Sequence, residues 1–298
     1  MRFRRLPEIR ILIAIVFVFI SLILRELVMA LIATVLSIQG QVPRIWLGPG
    51  SGPTDSLGAL LYTVLAFDVT VGLGLGAYWL YVRLIERRPL QEFDPRGALG
   101  ELASGMLVGV GLVLPVVVLL AVLGYVSVVG THGWLVLIPA IAASGTAAFM
   151  EELAVRGILL RLLEERLGSW IALVAMASLF GILHHGNSGA TWISTLSIAI
   201  SAGLGLGAIY LLTRRLWMAI GLHFAVNLMQ GGVFGMPVSG GKTEGIIDLE
   251  LSGPAILTGG AFGIEASILV LVLGLIAASI FLRRAVREGR FRRPSWSS

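Results

Sequence analysis

The sequence predicts an all-α, polytopic membrane protein with about eight transmembrane helices, and three observations support this fold class. Of the 298 residues, 57% are hydrophobic and 13% are charged, with a mean hydropathy of +0.93, whereas a soluble domain carries about 25% charged residues. Apolar stretches recur that are long enough to cross a hydrocarbon core of about 30 Å. The arginines lie between these stretches in the alternating pattern that membrane topology requires.

Eight spans are predicted, with edges set by the apolar stretches: 9–38, 58–83, 103–128, 134–160, 169–186, 191–212, 216–236 and 262–282. The fifth and seventh are short, which is compatible with tilted, kinked or re-entrant segments. With this assignment, 19 of the 22 basic residues fall on one side, while Arg44 and Lys242 fall on the other and Arg25 lies inside the first span. The positive-inside rule then places both termini in the cytoplasm.

Composition excludes several classes of function. The chain has no cysteine, so it has no disulfides, thiolate metal ligands or cysteine nucleophile. Its net charge is +5, but the arginines flank apolar spans and form no basic stripe with interleaved aromatic residues, so no nucleic-acid partner is expected. We expect a single membrane domain over 1–298 that contacts the bilayer, with a basic cytoplasmic tail at 283–298 facing lipid headgroups.

Ionisable residues inside the predicted spans need an explanation, because each costs at least about 2.5–3.5 kcal/mol on insertion scales. In the fourth span, Glu152 and Arg156 are four residues apart, which places them on one helix face in the favourable order for an ion pair. Glu151 points about 100° away from that face. A carboxylate left without such a partner in a low-dielectric site is suited to act as a general base.

Two further clusters accompany the first. His184 lies near the end of the fifth span, and His223 shares a helix face with Asn227 in the seventh. A histidine and an amide side by side can both donate hydrogen bonds to one developing oxyanion. A turn at Gly168 would make the fourth and fifth spans antiparallel and bring Glu151 level with His184.

The three motifs together resemble the CPBP family, which contains the type II CAAX prenyl endopeptidases and bacterial relatives linked to bacteriocin processing and self-immunity. They are EExxxR at Glu151–Arg156, FxxxH at Phe180–His184 and HxxxN at His223–Asn227. The resemblance covers residues 139–230, the motif-bearing helices. It implies a glutamate-dependent intramembrane endopeptidase in which Glu151 with His184 activates a water. His223 and Asn227 would then stabilise the oxyanion, with Glu152, Arg156 and Phe180 in supporting roles.

Several alternatives stay open at this point. No cofactor is expected because the sequence has no HExxH zinc-binding pair, and a divalent metal is the alternative. The implied substrate is a membrane-embedded or lipid-modified peptide, and the oligomeric state is undetermined. Alternatives to a peptidase are a non-catalytic immunity or scaffold member of the fold and a proton-coupled transporter. The motif residues would then form only a structural ion-pair network and interhelical hydrogen bonds.

Two expectations concern the rest of the chain. The arginine-rich, cysteine-free composition favours a multi-pass protein of a prokaryotic cell membrane. Arg25, Glu26 and Asp68 are intramembrane charges that we expect to pair with one another. A bridge from Arg25 to Asp68, between the first and second spans, is the specific prediction.

Overall fold

The computed structural model describes residues 6–35 and 57–296, and this part of the chain is mostly α-helical. The α-helices of the described residues are α1 (Pro7–Val35), α2 (Leu57–Tyr81), α3 (Ala98–Val122), α4 (Leu137–Glu152), α5 (Arg161–His184), α6 (Trp192–Ile198), α7 (Gly205–Thr213), α8 (Trp217–Asn227), the four-residue α9 (Ala255–Thr258) and α10 (Ile268–Arg287). Arg44 and the predicted end of the first span at residue 38 lie outside the described residues.

Six helical stretches of the described chain are long and apolar enough to cross a membrane: Pro7–Val35, Leu57–Glu86, Ala98–Val122, Trp134–His184, Trp192–Thr213 and Ile268–Arg287. The protein is therefore an integral membrane protein, as predicted. Trp134–His184 has 51 residues, about 75 Å at 1.5 Å per residue, which is too long for one crossing. Gly168 breaks it with a φ of 75° and a ψ of 166°, so the predicted turn at this glycine is confirmed.

The seventh predicted span is shorter than the other crossings. It consists of the 11-residue helix α8 and a 6-residue π-helical turn, Leu228–Val233. The count of eight spans and the orientation of the termini stay predictions.

A small sheet was not predicted. Strands β1 (Val126–Thr131) and β2 (Ile247–Leu251) pair antiparallel, with Val126 opposite Leu251. The third span was therefore extended too far: α3 ends before Gly124, whose φ of 76° interrupts the helix. The eighth span was begun too early, because Gly263 has a φ of 121° and the helix starts only after Ser267, whose side chain caps it.

Glycines allow the helices to approach closely, as is usual in membrane proteins. The contact of α3 with α8 is the clearest example. A Cβ at Gly105 would lie 2.1 Å from the backbone oxygen of Met218, and one at Gly221 would lie 2.2 Å from that of Leu102. This contact fixes α8, and with it the third motif, against α3.

The predicted bridge from Arg25 to Asp68 is wrong. Arg25 is buried between α1 and α2, where it pairs with Glu26 and donates through Nε to the Thr70 hydroxyl at 3.2 Å. Asp68 is exposed on another face of α2, because two residues along a helix turn the side chain by about 200°. The charge of Arg25 is therefore compensated within its own helix, by Glu26.

Helix ends meet in a charged cluster that we call the basic end. Arg10 from the start of α1 contacts Glu86 at 2.6 Å and Glu165 at 2.5 Å. Arg161, at the start of α5, contacts the same Glu86 at 2.8 Å. Further ion pairs bring in the end of α7 and the segment after α10: Arg214 with Glu164, and Arg292 with Glu164 at 4.0 Å. Helices that are far apart in the chain thus end at one level of the bundle.

The contact of α3 with α8 predicts opposite effects for two glycines of α3. Gly105→Ala should lower the free energy of unfolding by about 1–3 kcal/mol, because the added methyl meets backbone that cannot move aside. Gly111→Ala is the matched control: a Cβ added there would meet no atom within 4 Å, so it should be neutral or stabilising by up to about 1 kcal/mol. Thermal unfolding in detergent would measure both, and equal shifts would contradict the close contact.

Candidate functional site

The first motif lies where the helix changes its winding. Helix α4 ends at Glu152, and the chain continues as a π-helical turn, Leu153–Leu160, before α5 begins. π-helical turns are rare and frequently occur at functional sites. Glu152 and Arg156 are both buried, with 0% and 1% of their side chains exposed.

Glu152 is the hub of the site. Its Oε1 accepts a hydrogen bond from Arg156 Nη1 at 2.9 Å, so the predicted ion pair is present. The same oxygen lies 3.0 Å from Nδ1 of His223 on α8, a contact that the sequence did not indicate. A buried carboxylate requires compensation of this kind because the interior solvates charge poorly.

Arg156 connects the hub to two other helices. Its Nη2 donates to the backbone oxygens of Ala202 at 3.1 Å and Gly203 at 3.5 Å, which belong to the π-helical turn Ala199–Leu204 after α6. Its guanidinium carbon lies 4.5 Å from the centre of the Phe180 ring, a cation–π distance. Phe180 of α5 is thereby held between Arg156 and the ring of His184, whose centroid is 4.5 Å away.

Glu151 faces both motif histidines. Its Oε2 lies 4.0 Å from Nε2 of His184 and 3.9 Å from Nε2 of His223. These distances are longer than a direct hydrogen bond, and within the described chain this buried oxygen has no hydrogen-bond partner. Three of the predicted catalytic residues, from α4, α5 and α8, thus converge on one point.

The partners of the two histidines determine which ring nitrogen carries the proton. His184 Nδ1 lies 2.7 Å from the backbone oxygen of Phe180, which only accepts hydrogen bonds, so Nδ1 is protonated. His223 Nδ1 is protonated for the same reason, since it contacts the Glu152 carboxylate. Both rings therefore direct Nε2 towards Glu151.

Asn227 follows His223 by one turn of α8, as predicted. Its side chain is half-buried, and no hydrogen bond to its amide is found among the described residues. The helix widens into the turn Leu228–Val233 immediately after it.

A second buried carboxylate near the site was missed by sequence reasoning. Glu265 accepts hydrogen bonds from Gln230 Nε2 at 2.5 Å and from the Ser239 hydroxyl at 2.9 Å. Burial raises the pKa of Glu265 above its ordinary value despite these donors, and His184 is close enough to act on it electrostatically. The available signal was a lone carboxylate in the apolar run 261–273. These contacts tie the loop after α8 to the edge of the site.

The acidic and histidine side chains of the site are also potential metal ligands. Within the described ranges, no group of three or more His, Asp or Glu side chains is arranged to hold a metal ion. The metal-free mechanism stays a prediction, which chelation experiments test.

The buried ion pair between Glu152 and Arg156 predicts that the stability of the protein depends strongly on Arg156. Arg156→Ala leaves the buried Glu152 carboxylate without its arginine, so we expect a loss of about 3–5 kcal/mol in the free energy of unfolding. The double variant Glu152→Gln/Arg156→Ala should recover part of this loss because it removes the uncompensated charge. Arg83→Ala, at an exposed arginine of the turn after α2, is the control. If thermal unfolding shows the same loss of stability for Arg156→Ala and Arg83→Ala, the role of the ion pair is contradicted.

Comparison with known proteins agrees with the three motifs. No curated protein and no solved structure matches the chain. Residues 131–229, about a third of the 298-residue chain, match the model of a family described as Rce1-like type II CAAX prenyl endopeptidase. The matched segment carries every residue of the site except Gln230, Ser239 and Glu265. The predicted resemblance is therefore confirmed over residues 131–229, which are similar to the Rce1-like type II CAAX prenyl endopeptidase family.

Proposed function

We propose that this protein is an intramembrane endopeptidase that uses Glu151 as its general base and needs no bound metal. The observation that carries the proposal is the Oε2 atom of Glu151, which lies 4.0 Å and 3.9 Å from the Nε2 atoms of two histidines. This constellation lies in the segment that matches the Rce1-like type II CAAX prenyl endopeptidase family, which supports a membrane endopeptidase. The carboxylate next to it, Glu152, is completely buried and is paired through Oε1 with both Arg156 and His223, so we assign proton transfer to Glu151.

The reaction begins with a water between Glu151 and His184. Nε2 of His184 accepts one hydrogen bond from this water, because its Nδ1 carries the ring proton. Glu151 removes the other proton as the oxygen attacks the peptide carbonyl. The protonated Glu151 then gives that proton to the departing amine, which breaks the peptide bond and restores the carboxylate.

His223 and Asn227 stabilise the oxyanion that forms on the carbonyl. Donation from His223 Nε2 requires protons on both ring nitrogens. The Glu152 carboxylate accepts the hydrogen bond from Nδ1, which leaves Nε2 directed at the oxyanion. Asn227 offers an amide N–H from the same face of α8.

The substrate that we propose is a membrane-embedded or lipid-modified peptide. The site is enclosed by helices whose outer faces are apolar, with exposed residues such as Leu183 and Ile182 beside His184. A peptide therefore reaches it through the bilayer or from the membrane surface. A prenylated tail, a bacteriocin precursor, a signalling peptide or another membrane protein would each suit this route.

We further propose eight crossings with both termini in the cytoplasm of a prokaryotic cell. The ends of α1, α2, α5, α7 and the C-terminal segment meet at the basic end. This supports the topology, because the topology requires these ends to lie on the same side of the membrane. The positive-inside rule places this arginine-rich end in the cytoplasm.

Glu151→Gln should abolish cleavage without unfolding the protein. The substitution keeps the shape of the side chain but removes the base, so kcat should fall at least about 100-fold. Purified wild type and variant would be incubated in liposomes with membrane-associated peptides, with and without EDTA. Glu244→Gln, at an exposed glutamate of the loop before β2, is the matched control and should retain activity.

The outcomes separate the alternatives. Cleavage that survives EDTA but not Glu151→Gln supports the proposal. Cleavage lost on chelation would favour a metal mechanism. Absence of cleavage by a folded wild type would favour a scaffold, an immunity protein or a transporter.

Cysteine labelling tests the topology, because the natural chain has no cysteine. Ser252→Cys follows β2 and Gln91→Cys follows α2, and both positions are exposed. In intact cells a membrane-impermeant maleimide should label Ser252→Cys and leave Gln91→Cys unlabelled until the cells are permeabilised. The reverse pattern would invert the proposed orientation.

A further inference from the structure

A cavity of about 410 Å³ opens at the basic end. One of its lining residues, Arg161, follows Glu151 by ten residues along the same helical stretch. Its charged lining is strongly unbalanced, with five arginines against two glutamates: Arg88, Arg161, Arg214, Arg290 and Arg292 against Glu92 and Glu165. The volume lies in the range of sites that hold small molecules, about 300–1,000 Å³. The lining favours an anion.

Three of the arginines are already paired with carboxylates. Arg88 contacts Glu92 at 2.9 Å, Arg161 contacts Glu86 at 2.8 Å, and Arg214 contacts Glu164. These pairs hold the walls of the cavity in place.

The two arginines of the C-terminal segment are much less engaged. Arg290 reaches Glu288 only at 3.5 Å, and Arg292 reaches Glu164 only at 4.0 Å. Both side chains are about half exposed, at 47% and 56%. They supply positive charge that the glutamates of the cluster leave largely uncompensated.

The cavity also has a buried neutral donor. Tyr210 of α7 lines it with only 2% of its surface exposed, and its hydroxyl makes no hydrogen bond within the described part of the chain. Arg161 also lines the cavity, and its Nη1 lies 3.8 Å from Oε1 of Glu165. A hydroxyl and a guanidinium at the floor are donors that suit the oxygens of a phosphate.

The C-terminal segment is fixed as one wall. The backbone N–H of Arg292 donates to the Ser169 hydroxyl at 2.8 Å, and the backbone N–H of Ser169 donates to the Arg292 carbonyl at 3.1 Å. The ring of Phe291 packs on Trp170 with centroids 4.5 Å apart. Arg290 and Arg292 are thereby held beside the cavity before any ligand binds.

We propose that this cavity binds a phosphate group, carried either by an anionic phospholipid headgroup or by a soluble phosphate compound. Arg290 and Arg292 supply the uncompensated charge, and Arg161 with Tyr210 forms the floor. The proposal is independent of the peptidase activity, since none of these residues contacts Glu151, His184 or His223.

The experiment uses the full chain in an uncharged detergent. One arm measures retention of phosphatidylglycerol against phosphatidylcholine by native mass spectrometry. The other arm measures binding of inorganic phosphate and pyrophosphate by thermal shift, with chloride at equal ionic strength. The variant Arg290→Gln/Arg292→Gln removes two charges from the cavity. Arg287→Gln/Arg293→Gln removes two exposed charges from the same segment, but neither residue lines the cavity.

We expect saturable binding that weakens about tenfold or more in Arg290→Gln/Arg292→Gln and less than about twofold in the control. Tyr210→Phe removes only the hydroxyl and leaves the charge of the cavity unchanged. It should also weaken binding, which tests the hydroxyl separately from the arginines. Binding of phosphatidylglycerol alone identifies a lipid headgroup, and binding of the soluble anions identifies a soluble phosphate. Equal losses in the two double variants would show diffuse surface charge and overturn the proposal, as would the absence of saturable binding in both arms.

Discussion

A carboxylate with no exposed surface inside a membrane protein is stable only with compensating partners, and Glu152 receives them from two directions. Arg156 contacts it at 2.9 Å from the same helix, and Nδ1 of His223 contacts it at 3.0 Å from α8. Because an uncompensated buried charge costs several kcal/mol, α8 cannot slide along α4 without breaking this contact. Arg156 extends the constraint to Ala202 and Phe180. The position of each motif therefore depends on one ion pair, and Glu151 gains its two facing histidines as a consequence.

The two ends of the bundle are closed by different kinds of interaction. At the basic end, arginines and glutamates from helices distant in the chain form ion pairs, with Glu86 shared by Arg10, Arg88 and Arg161. At the opposite end, backbone pairing of β1 with β2 and the buried Glu265 tie the loops together. Charged side chains at the ends of helices can interact with anionic headgroups. Strand pairing instead provides hydrogen bonds for backbone N–H and C=O groups where the helices stop. The site lies between these closures, on helices whose ends are both fixed.

The parts predicted from the sequence are those in which one physical cost dominates. Apolar length predicted most helices, and the cost of intramembrane charge singled out Glu151, His184 and His223, which the structure brings together. Side-chain partners were harder to predict from the sequence where they depend on which face of a helix a residue occupies. Arg25 was expected to pair with Asp68, but it contacts Thr70 and Glu26. Thr70 and Asp68 are two residues apart, so they lie on different faces of α2. The role of Glu265 was not predicted, because its partners Gln230 and Ser239 lie at and beyond the end of α8, where hydrophobic periodicity does not indicate the path of the chain. The π-helical turns likewise leave no signature in the spacing of apolar residues.

One backbone oxygen joins the basic end to the site. Gly157, next to Arg156, accepts hydrogen bonds from the Tyr78 hydroxyl at 2.9 Å and from Arg161 Nε at 2.8 Å. Arg161 is in turn held by Glu86, which also binds Arg10 and Arg88. The turn Leu153–Leu160 is therefore anchored at its far end by the charged cluster and at its near end by Glu152. Because a π-helical turn is less regular than an α-helix, fixing both ends defines where Arg156 lies.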